Sequence, residues 1–219
     1  MGRSKLKRFA ENLERENILQ DDKPNFDKLK GNWNKAHFKN DLPLIVELGC
    51  GKGEYSVGLA ERFPQNNFIG VDVKGDRLWV GSTEAIEKGI DTVAFLRAQI
   101  QQIDTFFDED EVSEFWITFP DPRPKKRDIK RRLTSPRFLE MYKKLLKPEG
   151  IVNFKTDNTA LFEYTLETLQ ERKDIKDLKF TFDLYNSDLQ EYTFGIKTTF
   201  EKKYLEKGVE IKYMQFKFA

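Results

Sequence analysis

The chain has 219 residues, 38% hydrophobic and 34% charged, with a formal net charge of +1, a length that holds one domain of ordinary size with its own core. A single cysteine, Cys50, and a single histidine, His37, exclude an internal disulfide, a multi-cysteine zinc centre and a His-rich metal site, and leave a histidine-based triad without its parts. No stretch approaches the roughly 18 apolar residues of a membrane span, and the charged N-terminal segment lacks the apolar centre of a signal peptide, so the expectation is a soluble cytoplasmic protein with no membrane or metal partner.

In chain order, residues 3–19 carry a helical pattern, with Leu6, Phe9, Ala10, Leu13 and Ile18-Leu19 set among charges. Residues 20–41, with Pro24, Gly31 and several Asn and Lys, read as a linker over the surface of the main domain. The chain thus divides into an N-terminal basic helix and linker, 1–41, and a main domain, 42–219. Leu44-Ile45-Val46 predicts a first strand running into glycines, and Tyr55 to Phe63 a helix. Phe68 to Val73 is a second strand, followed by a helix over Asp76 to Lys88 and a third strand over Thr92 to Leu96. Glu114 to Phe119 is a fourth strand, then a helix near Ser135 to Leu146, a strand at Ile151 to Phe154 and a helix over Thr159 to Glu171. Leu178 to Leu184 and Val209 to Phe218 close the chain as strands with only a polar loop between them. Alternating strand and helix implies an α/β fold, a mostly parallel seven-stranded sheet with helices on both faces. The last two strands lack a crossover helix and are expected to pair antiparallel at one edge.

The first strand ends in Glu47-Leu48-Gly49-Cys50-Gly51-Lys52-Gly53. Glycines allow the sharp strand-to-helix turn and the close approach of a ligand to the backbone. Lys52 precedes Gly53 and no Ser or Thr follows it, so this is not a phosphate-cradling P-loop. The G-x-G-x-G spacing also departs from the G-x-G-x-x-G of a dinucleotide site, and its leading acid suits a cationic ligand better than a pyrophosphate. Asp72 closes the second strand, placed to accept from both hydroxyls of a ribose. A plain tight turn is the bland alternative.

After the fourth strand comes Phe119-Pro120-Asp121-Pro122-Arg123-Pro124-Lys125-Lys126-Arg127-Asp128, then Ile129-Lys130-Arg131-Arg132-Leu133-Thr134. Between Pro122 and Arg137, eight cations stand against one anion, Asp128, the footprint expected for a phosphate backbone. A solvated basic loop is the ordinary alternative. Asp121, held between two prolines, can accept from the adjacent N–H and amino groups of guanine. The Asp/Asn-Pro-Pro-aromatic motif of amino-methylating enzymes is broken by Arg123.

Together these residues resemble the tRNA (guanine-N7)-methyltransferase family. The glycine loop, the Phe119-to-Arg132 block, Phe154-Lys155-Thr156-Asp157-Asn158 and Thr198-Thr199-Phe200-Glu201 carry the resemblance. It implies a Rossmann-like class I methyltransferase fold, S-adenosyl-L-methionine as cofactor, and methyl transfer to N7 of a guanine in tRNA. By resemblance, Glu47, Gly49, Gly51, Asp72, Gln99 and Asp121 would bind the cofactor, and Asp121 would be the catalytic residue. Lys125, Asp157, Thr198, Thr199, Phe200 and Glu201 would contact the substrate guanine, and Arg127, Lys130, Arg131 and Arg132 the RNA backbone. Two positions depart from the family pattern: Gln99 stands where an acid is usual, and Arg123 where an aromatic is common.

Guanine N7 carries a free lone pair, so no base need remove a proton, which agrees with a chain whose one histidine is unplaced in any motif. Two alternatives stay open for the later motifs: Asp157 as a cap for the following helix, and Thr198-Thr199 as edge-strand residues. For the whole chain, a non-catalytic RNA-binding protein, a methyltransferase for another RNA base and a nicotinamide-dependent oxidoreductase remain the competing readings, and the oligomeric state, monomer or homodimer, is left open.

Overall fold

The continuous apolar runs form the centre of the sheet. In the computed structural model, which describes residues 3–219, β2 (Leu44–Leu48) is buried throughout, and β3 (Asn67–Asp72) and β4 (Val93–Arg97) are buried up to their last residue. Strands covered on both faces show no polar alternation. β5 (Val112–Thr118) and β6 (Leu146–Thr156) extend the sheet on the other side of β2. Connecting helices α2 (Glu54–Arg62), α3 (Gly75–Glu87), α4 (Pro136–Leu145) and α5 (Thr159–Gln170) fall within a few residues of the expected spans.

The strand order reverses at β2, which lies between β3 and β5. Open α/β sheets bind ligands in the crevice outside the carboxyl ends of the strands at such a reversal. Along β5, Phe115 and Ile117 enter one core with Val46, Ile69 and Phe154, while Trp116 enters the other with Ile45, Tyr55, Phe68 and Tyr213. That is the period of two that places neighbouring side chains on opposite faces.

Three features differ from the reading of the chain. The sheet has eight strands, not seven: after α1 (Arg3–Glu14), the pair β1 (Ile18–Leu19) adds to β4 in parallel, Ile18 opposite Phe95. An apolar pair at the end of a helical pattern fits either a last turn or a short buried strand, and periodicity cannot separate them. Secondly, residues 20–41 are not only a surface linker. Trp33 is fully buried, stacked on Phe107 at 5.4 Å between ring centroids, and its indole N–H donates to the Phe106 carbonyl at 2.8 Å. Thirdly, β7 (Ile175–Thr181) and β8 (Lys212–Phe218) do pair antiparallel, but the connection between them contains a helix, α6 (Thr199–Leu205). Its lysines and glutamate disguised it as polar loop. β8 inserts between β6 and β7 and is antiparallel to both. Among the described residues, no helix is long and apolar enough to cross a membrane.

Candidate functional site

The crevice is built first from backbone. Past the end of β2, the N–H groups of Gly49 and Cys50 donate to the Val71 carbonyl at 2.8 and 3.0 Å, tying the loop to β3. Gly51 takes a positive φ of 57° and donates its N–H to Asp72 Oδ2 at 3.0 Å, while the Lys74 N–H donates to Asp72 Oδ1 at 2.8 Å. The acid that closes the second strand is therefore oriented by two loops. A Cβ added to Gly51 would meet nothing within 4 Å, so that glycine faces open space. Gly53 is different: its Cβ would lie 2.4 Å from the Phe95 ring, and a Cβ on Gly81 of α3 would lie 2.6 Å from the Lys52 carbonyl. The two glycines let the loop rest directly on α3.

Two adjoining hollows open here. One, of about 650 Å³, is lined by Asp72, Arg77, Ile100, Gln101, Asp121 and Asp157 among others. The second, of about 490 Å³, is lined by the loop from Gly49 to Lys52, by Glu54 and Thr118, and by Thr198 to Phe200. Phe119 and Phe200, with ring centroids 5.3 Å apart, border both. Phe200 also packs on Tyr204 at 4.4 Å.

Glu47 does not line either hollow. Its carboxylate is buried beneath them, with Oε2 accepting from the Ser56 N–H at 3.0 Å and the Ser56 hydroxyl at 2.5 Å, and Oε1 from the Thr118 hydroxyl at 2.7 Å. Burial raises its pKa to about 7, against the opposing pull of these hydrogen bonds. No cation pairs with it among the described residues. Gln99 is exposed and opens a short 3-10 turn; its neighbours Ile100 and Gln101 are the ones that reach the cavity wall.

The basic block divides by direction. Asp121 lies at the rim with its side chain 61% exposed; the Arg123 N–H donates to its Oδ1 at 3.2 Å, and Arg123 Nε lies 3.1 Å from its Oδ2. Lys125, Arg127, Lys130 and Arg131 are exposed, and Arg131 also lines the larger hollow and pairs with Asp128 at 3.3 Å. Arg132, counted with them from the sequence, points inward instead. It is 9% exposed, its Nε donates to the Pro122 carbonyl at 3.1 Å and its Nη2 to that of Arg123 at 3.4 Å, and its guanidinium lies 4.3 Å from the Tyr164 ring centroid. Arg132 braces the Asp121 loop rather than facing solvent. A run of like charges carries no signal of which member folds inward.

At the end of β6, Asn158 caps α5 by accepting the Leu161 N–H at 2.8 Å. Asp157 is thereby spared that duty; it lines the larger hollow, and its carboxylate has no ion-pair partner among the described residues. Thr198 is the cap of α6, accepting the Glu201 N–H at 3.1 Å, so it is not an edge-strand residue. The Thr199 N–H donates to Glu54 Oε1 at 3.0 Å, and its hydroxyl donates to the same oxygen. Glu201 is fully buried, away from either hollow, in a 2.7 Å ion pair with Lys155, itself fully buried, and it also accepts from the Tyr185 hydroxyl. Burial lowers the Lys155 pKa, with Glu201 opposing that shift. Lys155, Glu54, Phe119 and Tyr204 were given no role from the sequence; Lys155 and Phe119 lay inside motifs that carried the resemblance, whereas Glu54 and Tyr204 carried no signal.

Asp72, oriented by backbone N–H groups, the exposed Asp121 and the unpaired Asp157 thus share a single cleft beside a basic rim. Residues 41–214 match a family profile described as a putative methyltransferase. A tRNA (guanine-N(7)-)-methyltransferase of Cytophaga hutchinsonii is 49% identical over 219 residues, covering 100% of this chain and 99% of the relative. The corresponding protein of Christiangramia forsetii is 47% identical, with 98% of each covered. Among solved structures, a 16S rRNA methyltransferase, KamB, superposes with a TM-score of 0.62 over 92% of this chain and 94% of its own at 13% identity, a likeness of fold. The chain belongs to the tRNA (guanine-N(7)-)-methyltransferase family.

Proposed function

We propose that this protein transfers a methyl group from S-adenosyl-L-methionine to N7 of a guanine in tRNA, as a cytoplasmic enzyme whose chemistry lies in residues 42–219, with 1–41 as a basic helix and cover. The observation that carries the reading is the placement of Asp121 in one cavity with Asp72, at the start of an exposed basic loop.

The residues fit such a cofactor. Gly51 turns its missing Cβ toward open space, and Asp72 presents a carboxylate already oriented by backbone N–H groups. Glu47 is a desolvated acid without a cation, and a nearby ammonium would favour its ionised form. Gly49, Gly51 and Asp72 would hold the nucleoside and aminoacyl portions, with Gln99 and its neighbours Ile100 and Gln101 beside them. When bound, S-adenosyl-L-methionine supplies an electrophilic methyl group on sulfonium.

This chain's residues then need only place the nucleophile. N7 attacks with its lone pair, so no side chain must take a proton. Alignment alone is worth on the order of 7–11 kcal/mol at best. Asp121 would accept from the guanine edge and offset the positive charge that the ring gains on methylation. Asp157, which lines the same hollow, would hold the base from the other motif. Arg127, Lys130 and Arg131 would meet phosphates, Lys125 would contact the guanine, and Thr198 to Phe200 would form the wall on which the base rests. The buried Glu201 supports that wall through Lys155.

The test is methyl transfer from labelled S-adenosyl-L-methionine to unmodified bulk tRNA, with nucleoside analysis. Label in N7-methylguanine is expected; label in another base, or cofactor binding without transfer, overturns the reading. Asp121→Asn is expected to lower kcat by at least about a hundredfold while cofactor affinity stays within a factor of a few. An equal loss in both would make Asp121 a cofactor ligand only.

A further inference from the structure

We infer that Arg123 is a positioning residue for the Asp121 carboxylate, not one of the cations that bind RNA phosphate; the inference rests on Asp121 being the catalytic carboxylate.

Three observations lead there. Arg123 engages both oxygens of Asp121 at once, its N–H 3.2 Å from Oδ1 and its Nε 3.1 Å from Oδ2. The N–H hydrogen bond fills one of the carboxylate's roughly four acceptor sites and the guanidinium draws the other oxygen by charge, which biases the carboxylate's plane and leaves its remaining sites for a base. Arg123 also adopts a φ of +48° between two prolines, a left-handed conformation that a branched or long side chain seldom takes. That backbone is what folds residue 123 back onto residue 121. Finally, the carbonyls of Pro122 and Arg123 are pinned by Arg132, which is buried and stacked on Tyr164 of α5. The sequence of contacts runs from α5 to Arg132, to the loop backbone, to Arg123 and to Asp121. Among the described residues, Lys125 and Lys126 have no ion-pair partner and Arg127 only a 4.0 Å contact with Asp128, and all three are exposed.

In the free protein the pair is open to water, with the Arg123 side chain 41% exposed, and is weak for that reason. An RNA lying across the rim would exclude water and strengthen it at the moment the orientation is needed. A phosphate contact would behave differently: it would draw Arg123 off Asp121 and appear in the salt dependence of RNA binding.

The experiment uses Arg123→Ala, Arg123→Asn and Arg123→Lys in the full chain, each checked for an unchanged unfolding midpoint. Asn tolerates the left-handed backbone, so it removes the guanidinium while keeping the turn and its N–H. The readouts are kcat and KM with unmodified tRNA, cofactor affinity, and the salt slope of RNA binding. The Ala and Asn variants are expected to lower kcat about tenfold, with KM for tRNA and the salt slope unchanged, and Lys is expected to restore only part of the rate because it offers a point charge without the second donor geometry. In an Asp121→Asn background, Arg123→Ala should add no further loss. A salt slope reduced by about one with kcat intact would make Arg123 a phosphate ligand and overturn the inference. Full turnover by Arg123→Ala beside a crippled Asp121→Asn would overturn the role of Arg123 alone, whereas full turnover by Asp121→Asn would overturn the reading of Asp121 and this inference with it.

Discussion

Two ion pairs flank the cleft and share little beyond their opposite charges. Lys155–Glu201 joins β6 to α6 at 2.7 Å with both side chains fully buried, and Tyr185 adds a hydrogen bond to the carboxylate. Arg123–Asp121 closes within one loop at 3.1 Å, its ends 41% and 61% exposed. Burying two charges costs several kcal/mol each before their attraction returns it, so the first pair is poor evidence for stability and good evidence for fixed geometry. It ties α6, which carries Phe200, to β6. The second pair contributes about 0–1 kcal/mol in water and gains strength only when covered. On the proposed reading, rigidity lies under the wall that would carry the base, and adjustability at the carboxylate that would meet it.

The comparison breaks most directly at Lys155. Lys155→Ala leaves Glu201 buried without its cation and is expected to cost about 3–5 kcal/mol of unfolding free energy, read by urea denaturation. Arg123→Ala should cost less than about 1 kcal/mol in the same assay. Equal losses would show that burial does not separate the two pairs. Replacing Lys155 and Glu201 together by Met and Leu should recover most of the stability while lowering RNA methylation, because the wall would no longer be pinned at a polar register.

A sharper form concerns buried acids that have no cation partner among the described residues. Burial raises the pKa of Glu114 to about 7, as it does for Glu47, although Asn153 Nδ2 donates to Glu114 at 2.6 Å. The folded state therefore holds protons that the unfolded state releases near 4.5. That contribution is fully present below the unfolded value and is lost as pH rises through about 7. Glu114→Gln keeps the acceptor for Asn153 and should flatten the decline, gaining up to about 3 kcal/mol relative to the parent at pH 8 compared with pH 4. Parallel pH curves for the two proteins would count against the buried, uncompensated state of Glu114.

The smallest effect expected is in the basic block, where the same contrast between inward and outward charge recurs. Lys130→Ala with Arg131→Ala should flatten the salt dependence of tRNA binding by about one unit of slope per cation removed. Arg132→Ala should leave the slope unchanged and lower kcat, since Arg132 touches loop carbonyls and Tyr164. A slope change of equal size in both would return Arg132 to the RNA-facing set.

These cases also mark what the residues disclosed before any geometry. The parallel sheet and the methyltransferase family were legible, because uninterrupted apolar runs and a long specific block such as Phe119 to Arg132 leave few alternatives, and the fold and the relatives bear both out. The glycine loop and Asp72 meet because backbone N–H groups bring them together, and backbone geometry follows spacing. Side-chain direction does not. Nothing in Lys130-Arg131-Arg132 says that the third turns inward, and nothing in Thr198 to Glu201 says that the last is a buried counter-ion. The Ile18-Leu19 pair and α6 were misread for a related reason. Both are short, and their state depends on neighbours far away in the chain, Phe95 for one and Lys155 for the other.

The insertion of β8 between β6 and β7 has a consequence for biosynthesis. As the nascent chain leaves the ribosome, β2 to β6 and the glycine loop can assemble early, but β6 and β7 are not neighbours in the sheet and meet only through β8. α6 emerges just before β8, and the Lys212 ammonium, at the start of β8, donates to the Asp157 carbonyl at 3.3 Å. The switch-point crevice can therefore form from β2 to β6, whereas β7 is joined to the sheet only after Lys212–Phe218 has been made, so one edge of the sheet closes later than the crevice it supports.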